Sequence, residues 1–293
     1  MQIDHVTVHF GEKNGKYPDG NQIVVRGSDT KVVFDTPLSS ERLGDELEGS
    51  DAVLLGHVHE DHACGLHLLP DAAVYAPEQD VAALRSLEGL RAHYGYSTAT
   101  WSAFSGLITE KFRFVPRPDA RGYADGRVWE LGGCRVRALH APGHTAGHSV
   151  LLVEPEGVAF LGDIDLSGFG PYYGDATSSL TAFRATLRAV RTLDARVWVT
   201  FHHKGAVRER ETFLELLDAF EQKIERRSEA MLRAIEGGAD TLESLVAHRF
   251  LYPRGYGQSF VDDVERKTLM EHLAEFREAG RVVEEEGRLR VVG

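Results

Sequence analysis

Cysteine is scarce in this chain: two residues, Cys64 and Cys134, in 293. They make no disulfide framework and no Cys-x-x-Cys site, and a reduced, cytoplasmic setting is expected. Long apolar runs are missing as well. No stretch of roughly 18 consecutive apolar residues is available to span a bilayer. Met1–Phe10 alternates apolar and polar residues, without the basic start and apolar run of a secretory signal. An excess of positive charge is also absent. The formal net charge of −12 argues against a surface built mainly to grip nucleic acid or an anionic membrane, and leaves room only for a local basic patch. No repeat or low-complexity segment occurs, so solenoids and flexible tethers drop out.

Histidine is what the chain has in quantity. Eight of its fourteen histidines fall in three short clusters: His57, His59 and His62; His140, His144 and His148; His202 and His203. Around them the first two-thirds reads as short strands, loops and a few helices. Gln2–Phe10, Gln22–Gly27, Thr30–Asp35, Ala52–Leu55, Ala72–Ala76, Arg135–Leu139, Ser149–Val153, Val158–Leu161 and Val197–Phe201 have strand character. Apolar residues at spacings of three and four predict helices over Pro77–Leu87 and Leu180–Leu193. Gly89–Arg127 has no firm period and reads as a long surface excursion, a candidate lid. After about Arg208 the chain turns rich in Glu, Arg, Leu and Ala. Glu209–Ile235, Thr241–His248 and Asp262–Ala279 read as helices, followed by a small hairpin about Gly287. Length allows one large domain or two modest ones, and this shift divides the chain into residues 1–210 and 211–293.

His57-Val-His59-Glu-Asp61-His62 follows an apolar strand. Imidazoles at i and i+2 project to one side of extended chain, while Asp61 and His62 can turn to a second position, so one loop can feed two metal ions. In Pro142-Gly-His144-Thr-Ala-Gly-His148, Pro and Gly set a turn that presents His144. His148 either packs or takes a direct part, and His140 reads as structural. Phe160-Leu-Gly-Asp163 is an apolar strand ending in a carboxylate, which can bridge two cations with its two oxygens. Asp165 is placed to orient its neighbours. Val197-Trp-Val-Thr-Phe-His202-His203 again runs a strand into histidine. Adjacent residues on extended chain face opposite ways, so one of the pair is expected to ligate: His202, with His203 as the alternative. Cys64 reads as a small packed residue. Tyr172 and Tyr173, soon after Asp163, are candidates to bind substrate or donate to an oxyanion. His93 and Tyr94 either contact substrate or pack.

In this order, His57-x-His59-x-Asp61-His62, His144, Asp163 and His202 or His203 resemble the metallo-β-lactamase superfamily. Pro142-Gly-His-Thr-Ala-Gly-His and Leu161-Gly-Asp are most similar to its glyoxalase II-like hydrolases. The resemblance covers roughly residues 1–210 and implies an α/β fold, a four-layer αβ/βα sandwich with the metal site along one edge. It implies that His57, His59 and His144 hold one metal, that Asp61, His62 and the last histidine hold the other, and that Asp163 bridges them. Seven nitrogen and oxygen ligands suit Zn, with Mn or Fe as alternatives. The helix–helix–hairpin tail resembles the winged-helix extension of some bacterial hydrolases of the superfamily, found also on mitochondrial β-lactamase-like ribonucleases. Glu284, Glu285 and Glu286 stand where a nucleic-acid-binding wing needs Lys or Arg, so a packing or dimerisation role is expected, compatible with a homodimer. The expected activity is hydrolysis by a metal-bridging hydroxide, with Asp61 and Asp163 as catalytic carboxylates, on a small thioester, ester or lactone. Phosphodiester or RNA hydrolysis is the alternative, and iron-dependent oxygen chemistry a third.

Overall fold

The computed structural model describes residues 1–292; of the expected C-terminal unit only residue 293 lies outside them. The first sheet orders its seven strands as they occur in the chain: β1 (Gln2–Ile3), β2 (Val6–His9), β3 (Gln22–Arg26), β4 (Lys31–Phe34), β5 (Ala52–Leu54), β6 (Ala73–Pro77) and β7 (Arg121–Tyr123). It is antiparallel as far as β4 and parallel from β4 to β7. The second sheet runs from β8 (Val128–Glu130) through β9 (Arg135–His140), β10 (Ser149–Glu154), β11 (Val158–Phe160) and β12 (Val197–Val199) to β13 (Ala206–Val207). Strand alternation divides the side chains between two faces. Ile23, Val25, Val32 and Phe34 meet Val136, Leu151, Val153 and Phe160 between the sheets, while Val24 and Val33 join the helices outside.

Those outer layers complete an αβ/βα sandwich. On the first sheet lie α1 (Val81–Arg85), α2 (Leu87–Tyr94) and α3 (Thr98–Glu110). On the second lie α4 (Leu180–Arg191) and the first half of α5 (Arg210–Glu236), through Phe213, Leu217, Phe220 and Ile224. The second half of α5 packs Met231, Leu232 and Ile235 into a separate small core with α6 (Leu242–His248), α7 (Val261–Glu278) and the hairpin of β14 (Val282–Glu285) and β15 (Arg288–Val291). Two expectations need correcting. The helix expected over Pro77–Leu87 begins only at Val81, because Pro77 ends β6, and it breaks at Ser86, which is extended. The Gly89–Arg127 excursion is about half helical and also supplies β7. Ser86 caps α2 through the Gly89 N–H, and left-handed Gly95 ends it. Trp101, Phe104 and Ile108 then form the inner stripe of α3. No helix among the described residues is long and apolar enough to cross a membrane.

Candidate metal centre

The expected ligands converge where loops leave the strand ends of both sheets. The loop after β5 carries His57, His59, Asp61 and His62; those after β9, β11 and β12 carry His144, Asp163 and His202. Nε2 of His57, Nδ1 of His59 and Nε2 of His144 stand 3.1 Å from one another. Asp163 Oδ2 lies 3.3 Å from His144 Nε2, and its Oδ1 lies 3.1 Å from His62 Nε2. On that second side His202 Nε2 is 3.0 Å from Asp61 Oδ2. The residues thus form two groups, His57, His59, His144 and Asp163 beside Asp61, His62 and His202, with Asp163 facing both. All are buried except Asp163, whose side chain keeps 14% of its surface open. His203 takes positive φ and turns its ring toward Asp165, 3.7 Å away.

The outward nitrogens explain how the inward ones are held. His59 Nε2 donates to Asp175 Oδ2 (2.8 Å), and His62 Nδ1 donates to Asp35 Oδ2 (2.7 Å). His144 Nδ1 donates to the Tyr172 carbonyl, and His202 Nδ1 to the carbonyls of Gly15 and Asp19. In a neutral ring these bonds fix the proton outside and aim the lone pair inward, as metal-ligating histidines require. Inside, His62 Nε2 and Asp163 Oδ1 are buried and face each other at 3.1 Å without forming a hydrogen bond there or elsewhere. Buried polar atoms are rarely left so. Three nitrogen lone pairs at this spacing fit a divalent cation with the usual bond of about 2.0–2.1 Å, so the donors present suit the metal pair that the motifs imply.

The charge balance agrees. Burial alone would raise the Asp163 pKa, yet His62, His202 and His144 hold its carboxyl well below the usual range. Burial lowers His59 and His202, but Asp175 lifts the first and Asp163 with Asp61 the second, each to about 9. Burial leaves His144 lowered to about 4 despite Asp163. Without cations the cluster therefore holds protons on some of these rings, which metal binding displaces.

Other residues shape the walls. His148 is not aimed into the cluster: its Nδ1 donates to the Ala141 carbonyl, and its Nε2 accepts the Asp163 N–H at 3.1 Å. Gly162, at φ +54°, permits this approach, since a Cβ there would lie 2.7 Å from His148 Nε2. His140 bonds the Ala146 carbonyl across its own loop. Cys64 is buried and donates to the carbonyls of Glu60 and Asp61, closing the turn that carries Asp61. Tyr94 stacks on His59 at 5.2 Å, and His93 is packed near Asp80. Tyr172 donates to Asp175 Oδ1 and leans against His144. Tyr173 departs from expectation: it is fully buried, and its hydroxyl turns away to His272 and Arg227. Asp35 and Asp175 were not among the expected site residues. Further aromatics lie beyond these residues. Tyr17 lies edge-on to His202, Tyr252 packs on Phe169, and Tyr256 stacks on Tyr252.

An αβ/βα sandwich with a buried two-part His/Asp cluster at the strand ends defines a class of proteins. The chain belongs to the metallo-beta-lactamase superfamily, whose description matches residues 17–203. It is similar to the atrochrysone carboxyl ACP thioesterase of Pseudocercospora fijiensis, 25% identical over 270 residues that cover 89% of this chain and 69% of that protein. It is also similar to the acyl-coenzyme A thioesterase MBLAC2 of Homo sapiens, 28% identical over 179 residues, 52% of this chain and 61% of that one. The chain spans about half to two thirds of such relatives: 50% of the lactamase-like protein ptaB of Pestalotiopsis fici, for example. Among solved structures, a metallo-beta-lactamase family protein from Thermus thermophilus superposes with a TM-score of 0.73 at 26% identity, covering 98% of this chain and 99% of its own. A beta-lactamase domain protein from Burkholderia ambifaria (TM-score 0.69, 18% identity, 98% and 92% covered) shares the fold.

Proposed function

We propose that this superfamily hydrolase cleaves a thioester of a small acyl group with the help of two divalent cations, Zn, or Mn or Fe in its place. The observation that carries this reading is the pair of buried ligand groups sharing Asp163, in a chain whose curated relatives include thioesterases. When bound, such a pair supplies Lewis acidity toward a carbonyl oxygen and acidifies a water to near neutral pKa.

The protein's own residues supply the proton acceptors and the positioning. Asp163, the most open of the seven, and Asp61 beside it accept the proton of the attacking water. His148 holds the Asp163 backbone in register, and Asp35 and Asp175 keep two imidazoles turned inward. The aromatic rings of Tyr17 and Tyr172 against His202 and His144 favour an apolar acyl group over a polyanion. A thiol leaving group, with a pKa of about 8.5, departs as thiolate and needs no proton from the protein.

The test combines metal analysis with a panel of acyl-coenzyme A, acyl-pantetheine, lactone, bis-p-nitrophenyl phosphate and single-stranded RNA. Thioester turnover is expected, and His57→Ala should lose one metal equivalent and nearly all turnover while its circular dichroism is kept. Turnover of RNA or the phosphodiester without the thioesters would overturn the substrate class. A His57→Ala protein with full metal content would overturn the ligand assignment.

A further inference from the structure

A second set of ligating atoms meets at the opposite end of the sandwich. His5 sits on the turn between β1 and β2, Cys134 just before β9, and Glu156 between β10 and β11. Each offers one donor atom, and the three lie within 4.8 Å of one another. We propose that His5, Cys134 and Glu156 bind one thiophilic divalent cation of the zinc kind, separate from the pair at the candidate metal centre. The six residues of β9 stand between Cys134 and the loop of His144, so the two sites are roughly 20 Å apart at about 3.3 Å per residue.

Burial and an unmet bonding need both point to a ligand here. The Glu156 side chain is only 1% exposed. Its Oε1 contacts His5 Nδ1, but its Oε2 is buried with no hydrogen-bond partner. A carboxylate with one oxygen unmet in the interior is an unstable arrangement unless a further positive partner arrives. Cys134 is buried beside it. Burial, with Glu156 and Glu130 adding to it, pushes the Cys134 thiol up to about 11. The thiol therefore keeps its proton next to the carboxylate until a cation replaces that proton, which leaves to solvent. The backbone is shaped for the contact too. Gly133 has φ +82°, and a Cβ there would stand 3.2 Å from His5 Nε2.

The donor set is one nitrogen, one sulfur and one oxygen. Zinc takes all three at about 2.0–2.3 Å in a tetrahedron, and thiolate favours it over harder ions. The His5 side chain is 36% exposed, which gives an entry path and a fourth position for water. His5 belongs to the first sheet and the other two residues to turns of the second, so the cation would clip the two sheets together. This is a structural role, independent of hydrolysis.

Cobalt titration of the full chain under reducing conditions tests the assignment. The candidate metal centre offers imidazole and carboxylate only, so a near-ultraviolet thiolate-to-cobalt charge-transfer band reports this site alone. The expected result is that band in the wild type and in Cys64→Ser, and its loss in Cys134→Ser and His5→Ala. Cys134→Ser should hold one metal equivalent fewer with hydrolysis unchanged. A protein saturated with cobalt at the candidate metal centre but lacking the band would overturn the proposal, as would a band that persists in Cys134→Ser. His5 and Glu156 would then be a simple ion pair over a packed thiol. Failure here leaves the thioesterase reading untouched, because that reading is measured by turnover.

Discussion

Asp175 accepts from His59 at 2.8 Å and Asp35 from His62 at 2.7 Å, so each fixes the ring of a candidate ligand from the side away from the cluster. Carboxylates in this position raise ligand basicity and lock the tautomer, and their loss costs about 10–100-fold in metal affinity or activity. Asp175→Ala should weaken metal binding by about that factor, read by competition with a chelating dye, while the fold is kept. Unchanged affinity would mean that stacking on Tyr94 alone holds His59. The candidate ligands stood out in the chain because they follow strands, and four of them crowd into six residues. Asp35 and Asp175 did not. Their partners are 27 and 116 residues away, and an aspartate ending a strand or starting a turn has no local mark to set it apart. The same limit applies to Tyr173: adjacent tyrosines in a loop look alike until the helix behind one of them is known.

One segment, Phe169–Asp175, supplies both the Tyr172 carbonyl that orients His144 and the carboxylate that orients His59. Arg227 of α5 holds it from behind. That buried guanidinium donates to the carbonyls of Phe169 and Pro171 and to the Tyr173 hydroxyl. Tyr173 in turn donates to His272 Nε2, and His272 Nδ1 donates to Ser228 Oγ, so the network is satisfied throughout. Burial, with Arg227 and Arg184 nearby, lowers His272 to about 3 and keeps it the neutral acceptor this arrangement needs. Arg227→Met would strand the buried Pro171 carbonyl, at about 1–3 kcal/mol, and free the part-buried Phe169 carbonyl as well. We expect it to lose roughly 3 kcal/mol in denaturant unfolding and to bind metal more weakly. Tyr173→Phe should cost only about 1 kcal/mol and keep activity. Equal losses in the two variants would remove the anchoring role of Arg227. Helical periodicity in α4 and α5 was readable from their apolar stripes. In α3 the stripe of Trp101, Phe104 and Ile108 is present but diluted by Ser, Thr and Gly, which weaken the pattern without breaking the helix.

The whole molecule is joined by α5, whose first half fills the core under the second sheet and whose second half fills the small C-terminal core. Two further ties cross the same boundary: Glu271 accepts the Leu180 N–H at the start of α4, and Arg184 pairs with Glu275. A continuous helix shared by two cores makes independent melting costly, since separating them exposes apolar surface on both. Calorimetry of the metal-loaded protein should show one transition, and two well-separated transitions would refute this coupling. The four-layer sandwich itself was legible from strand spacing and from the motifs. The reach of α5 was not, because a composition shift marks where a sequence changes character and says nothing about which core a helix enters.

Synthesis runs from one end of the chain to the other, and every candidate ligand from His57 to His202 is joined to the chain before α5 is. The segment that aims His59 and His144 is fastened only when Arg227 arrives, and the first turn of α4 only when Glu271 does. The five candidate imidazoles are therefore in the chain before the contacts that hold that segment in place. A chain cut short before Arg227 would keep all seven candidate ligands and lose the fastening of the segment that aims two of them.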